Sequence, residues 1–218
     1  MSDPSAPLVP PAVQARSRET VDKIVAAGLR LLQEGGAGAL TIAAVAQAAG
    51  VAVGSVYRRF GDKERLFAVL QSHFTAAFRA EYAQRVADTG LDATTTAREV
   101  IDTAVSGVAW TFEAHAPLLR VFMLLGTQDE AVFATGSQAS VAGGRVFRDT
   151  VMLAVPALRH HGDVEAAIDF AHRLTYATCA HRVVQGEFLE SARPLPYDAL
   201  VRELQTAVAG YLLGPPPS

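Results

Sequence analysis

Residues 41–60 read TIAAVAQAAGVAVGSVYRRF. The segment contains a short helical pattern with an apolar stripe, a glycine, and a second short helical pattern that carries Tyr57, Arg58 and Arg59. Two short helices joined through a glycine turn are typical of a helix-turn-helix, whose second helix lies in the major groove of DNA. We therefore predict a helix-turn-helix motif at about 41–60 and double-stranded DNA as a partner.

Capping residues predict the bounds of these two helices. Thr41 can cap the first, and Gly50 can adopt the left-handed conformation that ends it. The second helix is predicted from about Val53 to Phe60, with Val56 and Phe60, four residues apart, facing the core. The opposite side of this helix is then free to meet DNA.

Further helices are expected on both sides of the motif. Ser17 can cap a first helix that Gly35 and Gly36 end, and Asp62 can cap a long fourth helix that continues to about residue 86. The predicted core of this head comprises Val25, Leu29, Leu32, Ile42, Val45, Val56, Tyr57, Phe60 and Leu66.

In the rest of the chain, apolar residues also recur with the period of an α-helix. It is predicted to form helices at about 96–114, 117–125, 131–157, 163–187 and 197–213, and no segment alternates as a strand does. Pro156 is expected to kink or end one of these helices, Asp163 is expected to cap the next, and residues 88–96 are expected to form an interdomain loop.

The predicted fold class is all-α, with about nine helices in two domains. A three-helix DNA-binding domain with the helix-turn-helix is predicted at 16–70, and a helical domain is predicted at 71–213. A disordered arm at 1–15 and a tail at 214–218 complete the expected organisation.

Candidate DNA contacts lie on the outward face of the third helix and at helix starts. Val53 can touch a thymine methyl, Gly54 permits close approach, and Arg58 and Arg59 can neutralise phosphates or reach a guanine edge. The predicted DNA-binding residues are Thr41, Val53, Gly54, Ser55, Tyr57, Arg58, Arg59 and Lys63. Taken alone, the VYRRF segment also fits a solvated amphipathic helix, and the surrounding stripe, glycine turn and following helix start favour DNA recognition.

Residues 18–70 resemble the DNA-binding domain of TetR-type transcriptional regulators. The matching motifs are TIAAVA at 41–46, AGV at 49–51, GSVYRRF at 54–60 and DKERL at 62–66. This sequence departs from the family pattern in two places. Where the family usually has a small hydroxyl residue that caps the recognition helix, this sequence has an alanine, and it has an arginine where the family often has histidine.

The resemblance implies that the second domain dimerises and binds a small ligand. In the family, the last two long helices pack against their symmetry mates, and here they correspond to 163–187 and 197–213. Their apolar faces are Ile168, Ala171, Leu174, Thr175, Thr178 and Val183, and Leu200, Leu204, Val208 and Leu212. The alternative is that these faces are buried within one protomer.

A ligand pocket is expected to be apolar with a few polar anchors. The candidate ligand-binding residues are Trp110, Phe112, His115, Phe122, Met123, Phe147, Met152, His172, Tyr176 and Cys179. Each of them also fits plain core packing. His172 and Cys179 share a helical face without further metal-ligand spacing, so no metal is predicted, and His160 and His161 are expected on a solvated loop.

Composition and charge narrow the function classes. The chain has 218 residues, is half hydrophobic, and carries a formal net charge of −3. Residues 1–70 carry a net +2 and residues 71–218 a net −5, which suits a nucleic-acid-binding head. The single cysteine excludes an intrachain disulfide, and no signal peptide or membrane span is expected, so we predict a cytoplasmic protein.

No catalytic motif is present: there is no GxSxG, phosphate loop or dinucleotide glycine pattern. We expect no enzyme activity and no cofactor. The predicted function is that of a homodimeric repressor that an unknown small apolar or amphipathic molecule releases from a two-fold symmetric operator. The alternatives are an activator or ligand-independent regulator and, more remotely, a helical carrier or enzyme.

Overall fold

The structure is a computed structural model that describes residues 11–158, 163–188 and 192–214, with side chains from residue 17 onward. The predictions for 1–10, for His160 and His161, and for 215–218 lie outside these residues. The described residues form nine α-helices and no strand, as the sequence predicts. The helices are α1 (Pro11–Ala39), α2 (Ile42–Ala49), α3 (Val53–Phe60), α4 (Lys63–Ala87), α5 (Ala97–Ala114), α6 (Ala116–Gly126), α7 (Glu130–Val151), α8 (Val164–Gln185) and α9 (Tyr197–Leu213).

The first helix begins earlier than its expected cap at Ser17. It starts at Pro11, because proline is tolerated in the first turn of a helix and the alanines and glutamine that follow favour helix. The part of the expected arm at 11–15 is therefore helical. Near its other end α1 is interrupted at Gly36, whose φ of 65° and ψ of −165° lie outside the helical region, as the glycine pair predicts.

The chain divides into two compact units, Met1–Phe74 and Thr75–Ser218. The boundary falls inside α4, which contributes residues to both units. The loop at 88–96 lies within the second unit, so the expectation that it separates the domains is wrong.

The first unit has a small apolar core. Ile24, Leu32, Val45, Val56 and Leu66 are fully buried. The core prediction is wrong for Leu29, which is half-buried, and for Tyr57, which is exposed. Packing between α1 and α4 is close because α1 carries a glycine there: a Cβ on Gly28 would lie 2.7 Å from Cδ1 of Leu70.

In the second unit, α5 packs against α7, α8 and α9. Two polar contacts join α5 to α9: the Tyr197 hydroxyl donates to the Ala109 carbonyl at 2.6 Å, and Gln205 Nε2 donates to Ser106 Oγ at 2.8 Å. The helix predicted at 131–157 ends at Val151, and a 3₁₀ turn containing the proline follows at Met152–Ala157. Asp163 caps α8 as expected.

Most of the predicted dimer-facing residues are buried within one protomer. The buried members are Ile168, Ala171, Thr175, Val183, Leu204, Val208 and Leu212. Leu174, Thr178 and Leu200 remain partly accessible. The faces were assigned wrongly because the strongest apolar stripe of a helix packs first against its own protomer.

Within the described residues, no single helix meets the length and hydropathy needed to cross a bilayer. Only α5 and α6 taken together do, and they are bent by 86° at their junction.

Candidate nucleic-acid interface and effector site

The turn between α2 and α3 is fixed by caps that local sequence predicts. The Thr41 hydroxyl oxygen accepts the Ala44 amide at 3.1 Å, and Gly50 has a left-handed φ of 65°. The amide of Val51 then donates to the Ala46 carbonyl at 3.0 Å. These contacts hold α3 at a defined angle to α2, as a helix-turn-helix requires.

One side of α3 is anchored in the core and the other side is open. Val56 and Phe60 are buried, whereas Val53 is 44% exposed and Tyr57 is 52% exposed. Val53 and Tyr57 are four residues apart, so they lie on one face of the helix. This face is therefore the part of α3 that is free to contact another molecule, and it is the candidate contact surface.

The N-terminal end of α3 is open as well. Ala52 gives no side-chain cap, in agreement with the departure from the family pattern noted in the sequence. A Cβ on Gly54 would meet nothing within 4 Å, so the protein itself does not require glycine there. Uncapped amides at an exposed helix start are suited to a phosphate group.

The two arginines of α3 have different surroundings. Arg58 is exposed, with Nη2 lying 3.3 Å from Ser55 Oγ. Arg59 is half-buried: its Nη1 donates to the Ser55 carbonyl at 3.4 Å, and its buried Nε has no hydrogen-bond partner among the described residues. Arg58 is therefore the freer of the two to reach a phosphate.

Two further candidates lie at helix starts. Thr41 is exposed, and it retains a hydroxyl proton to donate while its oxygen caps α2. Lys63 is the first residue of α4 and is exposed. Asp62 caps this helix, since its Oδ1 accepts the Arg65 amide at 2.7 Å.

A family comparison identifies this head. Residues 24–70 match the model of the bacterial regulatory proteins of the tetR family. These residues therefore form a TetR-type DNA-binding domain. The helix-turn-helix is a DNA-binding unit of transcription regulation, and the match covers the second half of α1, α2, α3 and the start of α4.

Solved structures of transcriptional regulators share the fold. A TetR transcription regulator from Haloarcula marismortui has a TM-score of 0.66 and 16% identity, with 90% of this chain and 97% of that chain covered. The regulator FadR from Bacillus subtilis, solved with stearoyl-CoA, has a TM-score of 0.63 and 15% identity, with 88% and 99% covered. The fatty acid degradation regulator FadR from Bacillus halodurans has a TM-score of 0.62 and 16% identity, with 87% and 98% covered. No curated protein sequence matches the chain.

Part of the predicted ligand-binding set forms one aromatic cluster in the second unit. The ring of Phe112 lies 5.2 Å from Tyr176, and Tyr176 lies 6.1 Å from His172. His172 in turn lies 5.4 Å from Phe147. Phe78 joins this cluster at 5.6 Å from Phe112, although it is not among the predicted ligand-binding residues.

Burial keeps one end of the cluster uncharged. It lowers the pKa of His172 below its ordinary value and raises the pKa of Tyr176. Gly144 lies against the imidazole: a Cβ there would be 3.1 Å from Nδ1 of His172. Near neutral pH these side chains offer polar but neutral anchors beside aromatic rings.

His115 forms the other end of the cluster and adds a polar pair. Its ring lies 5.7 Å from Phe78, and its Nε2 is 2.7 Å from Oε2 of Glu81. Glu81 also accepts from Arg85 at 2.7 Å. Hydrogen bonds from Arg85 and then from His115 lower the pKa of Glu81. Sequence reasoning missed Glu81, because nothing in a single sequence relates it to a histidine 34 positions away.

The remaining ligand candidates have other positions. Trp110 is 49% exposed on α5. Cys179 is buried and interacts with the Tyr197 hydroxyl, and burial raises the pKa of its thiol to about 11. Phe122 is buried in α6, while Met123 and Met152 are half-buried. Across the described residues no group of three or more His, Cys, Asp or Glu side chains is arranged to hold a metal ion.

Proposed function

We propose that this chain is a homodimeric transcriptional repressor whose release from DNA is controlled by a small apolar or amphipathic ligand. The observation that supports DNA recognition most strongly is the open face of α3, where Val53 and Tyr57 are exposed opposite a buried anchor. DNA lies in the cytoplasm of a bacterial cell, and we propose that the protein acts there.

The DNA contacts follow from the chemistry of that face. Val53 touches a thymine methyl, Tyr57 and Arg58 contact phosphates, and Lys63 adds a positive charge at the start of α4. Arg59, as the less accessible arginine, contributes a partial phosphate contact. Gly54 leaves room for the backbone of α3 to approach the groove.

Dimer formation doubles a recognition surface that is too small by itself. A helix of two turns covers few base pairs, whereas two symmetric helices in successive major grooves lie about 34–36 Å apart. The outward face of α8 and α9 supports this proposal. Phe170 is 51% exposed there and packs on Tyr211 at 5.1 Å, and each helix also carries a small exposed residue, Ala177 in α8 and Ala207 in α9.

The aromatic cluster supports a ligand that is apolar with a polar group. The rings of Phe112 and Phe147 suit an apolar body, and the neutral anchors His172 and Tyr176 suit a hydroxyl or carbonyl group. The FadR structure with stearoyl-CoA shows that a protein of this fold accommodates such a molecule. We propose that the ligand shifts α4 and so changes the spacing of the two DNA-binding heads, a coupling that must be reciprocal.

Selection of duplexes from a random DNA pool by the purified protein tests the proposal. A two-fold symmetric motif with half-sites one helical turn apart is expected. A Tyr57→Ala, Arg58→Ala variant with unchanged circular dichroism serves as the control and should enrich no motif. Failure of the wild-type protein to enrich any duplex at low salt contradicts DNA recognition, and an asymmetric single site contradicts the homodimer. The position of the selected site relative to a promoter then separates repression from activation.

A further inference from the structure

We propose that Glu81 and His115 form a latch that holds α4 in one position and transmits occupation of the aromatic cluster to it. The inference rests on the proposed function, because it concerns the regulation of the same site. The two residues act as positioning residues: they set the location of α4 rather than touching DNA.

The latch joins helices that are distant in sequence. Glu81 lies in the second half of α4, and His115 is the residue between α5 and α6. The contact between Nε2 and Oε2 is 2.7 Å long, and the side chains are 24% and 36% exposed for His115 and Glu81. Hydrogen bonds to a carboxylate are among the stronger polar contacts, and partial burial shields this one from water.

The same imidazole also belongs to the aromatic cluster. Its ring contacts Phe78 of α4, which contacts Phe112, which in turn contacts Tyr176 of α8. A molecule that enters between Phe112 and Tyr176 must displace a neighbouring ring. Displacement of Phe78 or His115 alters the distance between Glu81 and its partner, so the latch responds to what occupies the cluster.

The residue next to Glu81 shows what a second position of α4 could gain. The ring of Tyr82 is seated on Gly107 of α5 so closely that a Cβ there would be 2.7 Å from Cε2. The Tyr82 hydroxyl is buried and has no hydrogen-bond partner among the described residues. A buried polar group without a partner is unfavourable, so a shift of α4 that gave this hydroxyl a hydrogen-bond partner would recover part of the cost of the shift.

A change in α4 reaches the DNA-binding residues along the helix itself. α4 is one continuous helix from Lys63 to Ala87, and its first residue is a candidate DNA contact. The state of the latch is therefore expected to change DNA affinity, even though neither of its residues is on the DNA-binding surface.

A double-mutant cycle tests the latch through DNA affinity, measured by fluorescence anisotropy on a duplex obtained by selection. Glu81→Ala and His115→Leu each remove the same contact. They should change Kd by the same factor, in the same direction, within the range of about five- to 150-fold. The double variant should change Kd by the same factor as each single variant, not by the product of the two factors, because both substitutions remove one shared contact.

Two further variants separate the latch from a general structural effect. His115→Gln keeps an N–H donor for the carboxylate and should restore wild-type affinity. Arg85→Ala removes the other partner of Glu81 and should leave affinity within twofold of wild type. Faster hydrogen exchange at residues 75–87 should accompany the loss of the latch, and circular dichroism should show each variant folded. If His115→Leu fails to fold, the Glu81→Ala, His115→Gln and Arg85→Ala variants still carry the test.

The outcomes distinguish this inference from the proposed function. Wild-type protein that binds no duplex overturns both. Wild-type protein that binds a duplex, with latch variants that bind it equally well, overturns the latch alone. Additive effects in the double variant, or an Arg85→Ala effect as large as that of Glu81→Ala, also overturn it.

Discussion

Arg58→Ala is expected to weaken binding to every duplex and to reduce its dependence on salt. Arg58 is exposed on α3, and its guanidinium lies 3.3 Å from the neutral Ser55 Oγ, so it is available to one phosphate. Each phosphate contact contributes about −0.9 to the slope of log affinity against log salt concentration. Between 50 and 200 mM salt, the affinity of the wild-type protein should therefore fall about 3.5-fold more than that of the variant.

Fluorescence anisotropy with a labelled duplex at four or more salt concentrations provides these slopes. Arg98→Ala is the matched control, because it removes an arginine of similar exposure whose guanidinium lies 2.8 Å from Asp102 in the second unit. It should leave the slope unchanged. Arg59→Ala should lower the slope less than Arg58→Ala and also reduce stability, because Arg59 is half-buried. Equal slopes for wild-type protein and Arg58→Ala would refute the phosphate contact.

Three further predictions concern the open face of α3, the packing of α4 on α5 and the dimer face. Val53→Ala should change base preference at one position of each half-site in a repeated selection, and a uniform loss on all sequences would reject a base contact. Gly107→Ala should lower the free energy of unfolding by about 1–3 kcal/mol, because the added Cβ overlaps Tyr82. Gly136→Ala is the control: its added Cβ meets nothing within 4 Å, so it should raise the free energy of unfolding by up to about 1 kcal/mol. The urea midpoints of unfolding measure both changes in stability. A Gly107→Ala variant as stable as the wild-type protein would contradict the close packing of Tyr82 on Gly107. Phe170→Asp should convert the dimer to monomer in sedimentation velocity, and an unchanged dimer would place the interface elsewhere.

Local features of the head were predictable from sequence because they depend on neighbours within one turn. The Thr41 cap, the left-handed Gly50 and the buried pair Val56 and Phe60 all lie where the pattern predicts. The early start of α1 was missed because the proline-rich composition was interpreted as a sign of a disordered arm, whereas proline is tolerated in a first turn.

Features that depend on packing between distant helices were not predictable. Glu81 and His115 are 34 positions apart, and no periodicity relates Tyr82 to Gly107. The dimer-facing residues could not be identified from the sequence for a related reason. α8 carries apolar residues on more than one side, so its stripe shows that Ile168 is buried but not which neighbour buries it.

The most direct test of the central claim is a comparison of two double variants on one selected duplex. Val53→Ala, Tyr57→Ala changes the open face of α3, whereas Leu124→Ala, Phe133→Ala removes side chains of similar exposure from α6 and α7. We predict that the first variant loses specific binding by tenfold or more while the second binds as the wild-type protein does. Equal affinity of both variants for the duplex would contradict recognition of DNA through α3.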